Sequence, residues 1–351
     1  MTRKHFWIFL ALVVSVGTIF NGCSRSNNDT TTTTTLHGST AYIGTQTPGD
    51  VWSWSLGAGT FSATNETTNV TLQGTFTTLA SGFLKGVVSI TNDPDRPHWT
   101  NDNFYMLEYP DTMLLVKPAG TGDLLITCAA RMSSTPEVGR YNFVKFPYPG
   151  WTTNNKAYGT VEVTNNGDLF NFFITAYKMD GTLKSTEEET GYGISDGRFI
   201  RAGSSLEVFM TPSGIFHGDS AGSAGFAGVK NETVTVSDLI SKNYRGVLFD
   251  YNSSSGLGST PLIGAGPHPT LANSIKGWEY SDVDNNVTSA TEVTLTFGAQ
   301  DSTGVFSGTR TGGHNTKDFK LVAAKIDGKY IIIGIDAADD HSPENFILVQ
   351  Q

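Results

Sequence analysis

The hydrophobic pattern over residues 42–351 repeats every second position. Val293, Leu295, Phe297 and Ala299 alternate with Thr294, Thr296 and Gly298, the signature of a strand with one buried face. Phe170, Phe172, Ile174 and Ala176 occupy one side of their segment in the same way. Residues 329–335 are apolar on both sides and predict a central strand. Asn165-Asn166-Gly167, Asp180-Gly181 and Asp327-Gly328 are turn signals at hairpin spacing. Helical patterning is confined to two short stretches, 237–244 and 270–276. The expected class is all-β, a large antiparallel meander built as a sandwich, barrel or propeller-like body.

A weak internal repeat accompanies the pattern. Residues 113–120, 208–214 and 321–328 each carry an apolar strand that runs into a turn ending in Gly. Apolar segments at 141–146, 244–249 and 345–349 read as the corresponding closing strands. Aromatic openings lie near Trp52, Tyr158 and Trp278. This divides the body into three weakly similar units, 42–150, 151–275 and 276–351. The Pro-, Gly- and Ser-rich stretches 147–156 and 252–273 serve as connectors.

Composition narrows the setting. The 351 residues include 23 Lys+Arg against 33 Asp+Glu, a net charge of −10 that points away from nucleic acid as a partner. With 38% hydrophobic and 11% aromatic residues the chain can build a substantial core, which excludes a disordered protein. The N-terminus runs Arg3-Lys4-His5, then an apolar stretch from Phe6 to Phe20, then Asn21-Gly22-Cys23. A short basic region before an apolar run too brief to span a membrane is a secretory signal. With Gly22 directly before Cys23, residues 1–23 resemble a bacterial lipoprotein signal. The resemblance implies cleavage after residue 22, lipidation of Cys23 and, from Ser24, delivery to the outer membrane. Residues 23–41, with six consecutive threonines, then form a polar tether reaching about 60 Å when extended. Removal of residues 1–22 makes the body more acidic still, so the acyl chains rather than surface charge would hold it at the membrane. Cys128 would be left without a disulfide partner, in an apolar strand.

Several residue groups suggest chemistry. Gly218-Asp219-Ser220-Ala221-Gly222 fits G-x-S-x-G and resembles the nucleophile elbow of esterases, with His217 just upstream and Asp282, His314 or His341 as triad partners. The Gly-rich sequence that follows does not start a helix, so a hairpin loop is the simpler expectation. Two acidic clusters have the oxygen density that Ca²⁺ requires. One contains Asp93, Asp95 and Asp102; the other contains Asp336, Asp339 and Asp340. Asp282-Val283-Asp284-Asn285-Asn286 begins like a calcium loop but has Val287 where Gly is needed. The run Glu187-Glu188-Glu189 reads as solvated surface. Glu108, Glu207 and Glu279 are the carboxylates from which a glycosidase pair could be drawn. Trp52 and Trp54 share one strand face, either as a sugar platform or as core. Trp99 and Trp151, in polar Pro-rich loops, are candidates for ligand contact.

The sequence therefore predicts a lipid-anchored envelope protein acting as a non-catalytic binding or structural module. Its expected partners are the membrane, through Cys23, and a polysaccharide or another envelope protein. A secreted hydrolase using Ser220 or a carboxylate pair is the alternative. A calcium-stabilised assembly component is the third reading.

Overall fold

Alternating side chains make strands, and the turn residues fold each strand back on the one before. The computed structural model describes residues 40–46, 50–93, 103–117, 126–130, 137–147, 156–195, 198–204, 206–211, 213–220, 224–252, 257–259, 261–313, 316–337 and 344–351. The strands form three antiparallel sheets, each a meander.

The first sheet comprises β1 (Thr40–Gln46), β2 (Asp50–Leu56), β3 (Thr60–Asn65), β4 (Val70–Thr78), β5 (Leu84–Thr91), β6 (Asn103–Tyr109), β7 (Met113–Lys117) and β8 (Ile126–Ala130). It closes into a barrel where β8 pairs with β1. The second comprises β9 (Gly139–Pro147), β10 (Ala157–Asn166), β11 (Leu169–Tyr177), β12 (Leu183–Ser195), β13 (Arg198–Ile200), β14 (Leu206–Met210), β15 (Ile215–Ser220) and β16 (Ala224–Lys230). It closes through β16 and β9. The third comprises β17 (Tyr244–Asn252), β18 (Leu257–Ser259), β19 (Leu262–Pro267), β20 (Ser274–Asp282), β21 (Val287–Gln300), β22 (Phe306–Gly312), β23 (Lys317–Ile326), β24 (Lys329–Asp336) and β25 (Glu344–Gln350). Here β17 pairs with β25 on one edge and with β19, then β18, on the other. Pairing thus runs around eight strands, with short β18 added to the end of β17. The all-β class and the three-part body are as the sequence predicts.

The sheets divide the chain elsewhere than at 150 and 275. Residues 141–146 and 244–249 lie in β9 and β17, which open the second and third rings rather than closing the units before them. A strand that starts one ring and a strand that ends another carry the same apolar pattern, so the sequence does not separate them. Segments 208–214 and 321–328 do correspond, since both turn from the sixth strand of a ring into the seventh. Segment 113–120 begins with a seventh strand, one strand out of step with them.

Each ring has its own interior cluster. The first is filled by Tyr42, Trp52, Trp54, Phe61, Phe104 and their neighbours. A fourth cluster draws on all three rings, including Met113 and Leu115, Val144 and Val229, and Ile331, Ile333 and Ile335. Strand β24 shows why 329–335 is apolar on both sides: Ile332 faces its own barrel, while Ile331, Ile333 and Ile335 face the shared core. Polar clasps reinforce the contacts. Asp284 pairs with Lys85 and accepts from the Tyr105 hydroxyl at 3.2 Å, tying the third ring to the first. Asn142 Nδ2 donates to the Gly304 carbonyl at 3.1 Å, tying the second to the third. Residues 37–351 form one compact unit.

Of the two helical stretches, only the first is a helix. α1 (Val236–Ile240) starts at a capping box in which Thr235 and Asp238 exchange hydrogen bonds. The second is a turn leading into β20, with His268 Nδ1 accepting from the backbone N–H groups of Thr270 and Leu271 at 3.2 and 2.9 Å. Asn273 there has φ +55°, a left-handed conformation that breaks a helix.

Candidate functional site

An eight-stranded barrel has an interior that side chains just fill, or that holds one small ligand. The first ring takes the filled solution: Trp54 lies 5.8 Å from Phe61 and 5.9 Å from Phe104, and Phe61 meets Phe104 edge-on at 5.0 Å. Trp52 and Trp54 are core, not a platform. The third ring keeps a void of about 80 Å³ beside Trp278, Leu295 and Phe319. The second ring encloses about 380 Å³, within the range of small-molecule sites at about 300–1,000 Å³.

That space follows from which residues face inward. In register, Phe172, Ile174 and Ala176 of β11 oppose Glu189, Glu187 and Ser185 of β12. Where the first barrel has rings, this wall has short or polar side chains, and Ala157 on β10 adds no bulk. The opposite wall is apolar: Val161, Val163, Leu206, Val208, Met210 and Phe216. The cavity is therefore two-sided. The sequence places 187–189 on solvated surface. Glu187 and Glu188 are exposed, yet the strand's alternation turns Glu187 and the half-buried Glu189 toward the cavity.

The polar wall is organised. Arg201 Nη2 lies 2.6 Å from Glu189 Oε2, and its guanidinium sits 4.7 Å over the Tyr192 ring. The Tyr192 hydroxyl lies 3.1 Å from Glu189 Oε2 and 2.8 Å from Ser204 Oγ. Ser185 Oγ donates to Glu187 at 2.9 Å. Lys184 Nζ donates to the Lys156 carbonyl at 3.2 Å. Burial, then the nearby charge of Lys145, lowers the Lys184 pKa against the opposing pull of Glu187.

Access follows from the pairing. Among the described residues, positions 183–192 of β12 pair only with β11, and β12 meets β13 only through Gly193–Ser195. β13 in turn pairs with β14 through Arg198 and Phe199 alone. The barrel wall is thus least stitched where the polar side of the cavity lies.

The residues singled out from sequence fall differently. Cys23, Asp95, Trp99, Asp102, Trp151, His314, Asp339, Asp340 and His341 lie outside the described residues. Asp93 follows β5 in the first ring, whereas Asp336 ends β24 in the third. Asp336 is fully buried, 3.0 Å from Lys317 Nζ and 3.9 Å from Lys156 Nζ, so a cation there would have to displace ammonium groups. Among the described residues no three His, Cys, Asp or Glu side chains converge as a metal site. Ser220 ends β15, in register with Leu206 and Ala224, and the chain continues into the strand β16 rather than into a helix. His217, three positions before it, is buried and stacked on Phe209. Asp282 is occupied in a turn, accepting from the Asn285 backbone and side chain at 3.2 and 2.7 Å. Glu108, Glu207 and Glu279 stand on β6, β14 and β20, one in each ring. The cavity itself was not foreseen. Its only sequence trace is the small inward set Ala157, Ala176 and Ser185 among larger residues.

The chain matches no protein-family model and no curated protein sequence.

Proposed function

We propose that this chain is a non-catalytic binding protein of the bacterial cell envelope, anchored through lipid on Cys23 and displayed on the 23–41 tether. Its ligand is a small, mainly apolar molecule held in the second barrel. The observation that carries this reading is the cavity of about 380 Å³ with one apolar wall, one polar wall and a weakly paired seam beside it. The first ring has the same strand number and a filled interior. An eight-stranded frame therefore does not require such a space. The small and polar residues of the second ring create it.

The test is titration of residues 37–351 with N-phenyl-1-naphthylamine, a neutral apolar fluorophore. Saturable one-to-one enhancement is expected. Leu206→Trp, which fills the apolar wall, should weaken it at least about tenfold, the scale of one lost apolar contact set of roughly 1.4 kcal/mol or more. An unchanged melting temperature would show that the variant still folds. Absence of saturable binding would refute the cavity reading. Anchoring is tested separately: Cys23→Ser should move the full chain from the membrane fraction to the soluble one. Retention in the membrane fraction would refute lipid attachment at this residue.

A further inference from the structure

A separate groove of about 260 Å³ lies on the third ring, beside Ala80 of the first. Trp278 and Tyr280, two apart on β20, both line it. The indole lies across bare backbone: a Cβ at Gly264, the cross-strand partner of Trp278, would stand 2.6–2.8 Å from its Nε1, Cε2 and Cζ2. Trp52 and Trp54 are packed into the first barrel, whereas Trp278 belongs to none of the apolar clusters and stays partly exposed. The Tyr280 ring is held edge-on to Phe83 at 5.6 Å, and its hydroxyl accepts from Arg245. Around these rings the side chains of Asn243, Asn286 and Thr288 are exposed and, among the described residues, hydrogen-bond to no protein group. Thr288 stands opposite Tyr280 in register, and Asn286 occupies the turn before it with φ +55°. Asn243 Oδ1 lies over Gly266, where a Cβ would be 2.7 Å away. The amides and the hydroxyl both donate and accept, and Arg245 adds a planar fork of donors. A flat aromatic surface bordered by such groups is complementary to a pyranose ring, which is apolar on its C–H face and carries hydroxyls on its edge.

We propose that this groove binds one hexopyranose unit of a neutral polysaccharide. The sugar ring stacks on Trp278, and its hydroxyls are held by Asn243, Asn286, Thr288 and Arg245. At about 30 Å³ per water-sized group, 260 Å³ holds about nine, so a hexose unit of about eleven non-hydrogen atoms sits with its linkage oxygens outside, where the polymer continues. The net charge of −10 repels a polyanionic chain, which favours the neutral class.

The experiment is affinity electrophoresis of residues 37–351, one compact unit, through native gels containing dextran, galactomannan, arabinoxylan or hydroxyethylcellulose, with polygalacturonate as the acidic comparison. At least one neutral gel should retard the protein. Trp278→Ala should weaken that binding at least about tenfold, the scale of a lost stacking surface. Asn286→Gly keeps the left-handed turn and removes the amide; it should weaken binding about threefold, the scale of one hydrogen bond. Its melting temperature should not change, which separates lost binding from lost folding. Both variants should still bind N-phenyl-1-naphthylamine as the unaltered protein does, since the second barrel is a different site. Absence of retardation in every neutral gel, retardation by polygalacturonate alone, or retardation indifferent to both variants would each overturn the saccharide assignment and leave the cavity reading standing.

Discussion

His217 is the residue at which proton binding reaches the packing between barrels. Its side chain is 3% exposed and stacks on Phe209 with centroids 5.2 Å apart and planes 12° from parallel. Phe209 in turn packs with Ile43 and Val51 of the first ring. Burial pushes the His217 pKa from 6.5 down to about 3, and a hydrogen bond to the Ile43 backbone only partly opposes this. Between those two values the unfolded chain holds more protons than the folded one. Stability therefore falls as pH drops through that window, by up to about 1.4 kcal/mol per pH unit, and above pH 6.5 this residue contributes no pH dependence. His217→Phe keeps a ring against Phe209 and removes the titration. Its melting temperature should decline less between pH 6.5 and 5, above the range where most carboxylates titrate. Parallel declines in the two proteins would show that His217 is not the group responsible. In the sequence this histidine stands three places before Ser220, just upstream of the G-x-S-x-G match. Its burial and its stack on Phe209 show it to be packing.

At the level of elements, much of the fold is legible because alternation is a local property. The segment 293–299 reads as a strand and is one, β21, with Leu295 and Phe297 buried in the third barrel. The turn signals at Asn165-Asn166-Gly167 and Asp327-Gly328 are realised, with positive φ at Gly167, Asp327 and Gly328. What alternation does not convey is which strand closes a ring, because closure joins residues far apart in sequence. The glycine content has a cross-strand origin that spacing along the chain also conceals. Gly86 lies directly opposite Phe104, Gly228 opposite Phe216 and Gly334 opposite Phe346. A Cβ on any of the three would stand 2.2–2.4 Å from a ring carbon. The rings lie across the glycines, covering bare backbone with apolar surface, a device that supports strong curvature in small barrels. The candidate cavity was least legible for a related reason. The sequence shows that Ser185, Glu187 and Glu189 share a face with one another, but not that this face turns inward. That depends on the register with β11, which is shifted between Phe170 and Phe172 and again between Ala176 and Tyr177.

For the molecule as a whole, the three rings are joined by the shared apolar core and by buried charge between the second and third. Lys156 precedes β10, while Lys317, Asp336, Glu344 and Arg310 belong to β22–β25. Asp336 Oδ2 is 3.0 Å from Lys317 Nζ and 3.9 Å from Lys156 Nζ; Lys317 Nζ is also 3.3 Å from Glu344, which lies 2.5 Å from Arg310 Nη1. Lys156 and Asp336 are almost completely buried, so each depends on its partners to offset the loss of water. Removing one charge from such a set typically costs about 3–5 kcal/mol. By contrast the Lys85–Asp284 pair is about a quarter to a third exposed, with side chains at 22% and 35%, where such pairs contribute about 0–1 kcal/mol. Asp336→Asn should therefore lower the melting temperature several times more than Asp284→Asn. The discriminating measurement is a cycle with Lys156→Met, a change confined to the second ring. If charge couples the rings, Asp336→Asn should cost less in the Lys156→Met background, with an interaction energy of about 0.5–3 kcal/mol. Additive effects would mean that Asp336 serves the third barrel alone, and that the two rings are held together by the apolar core between them.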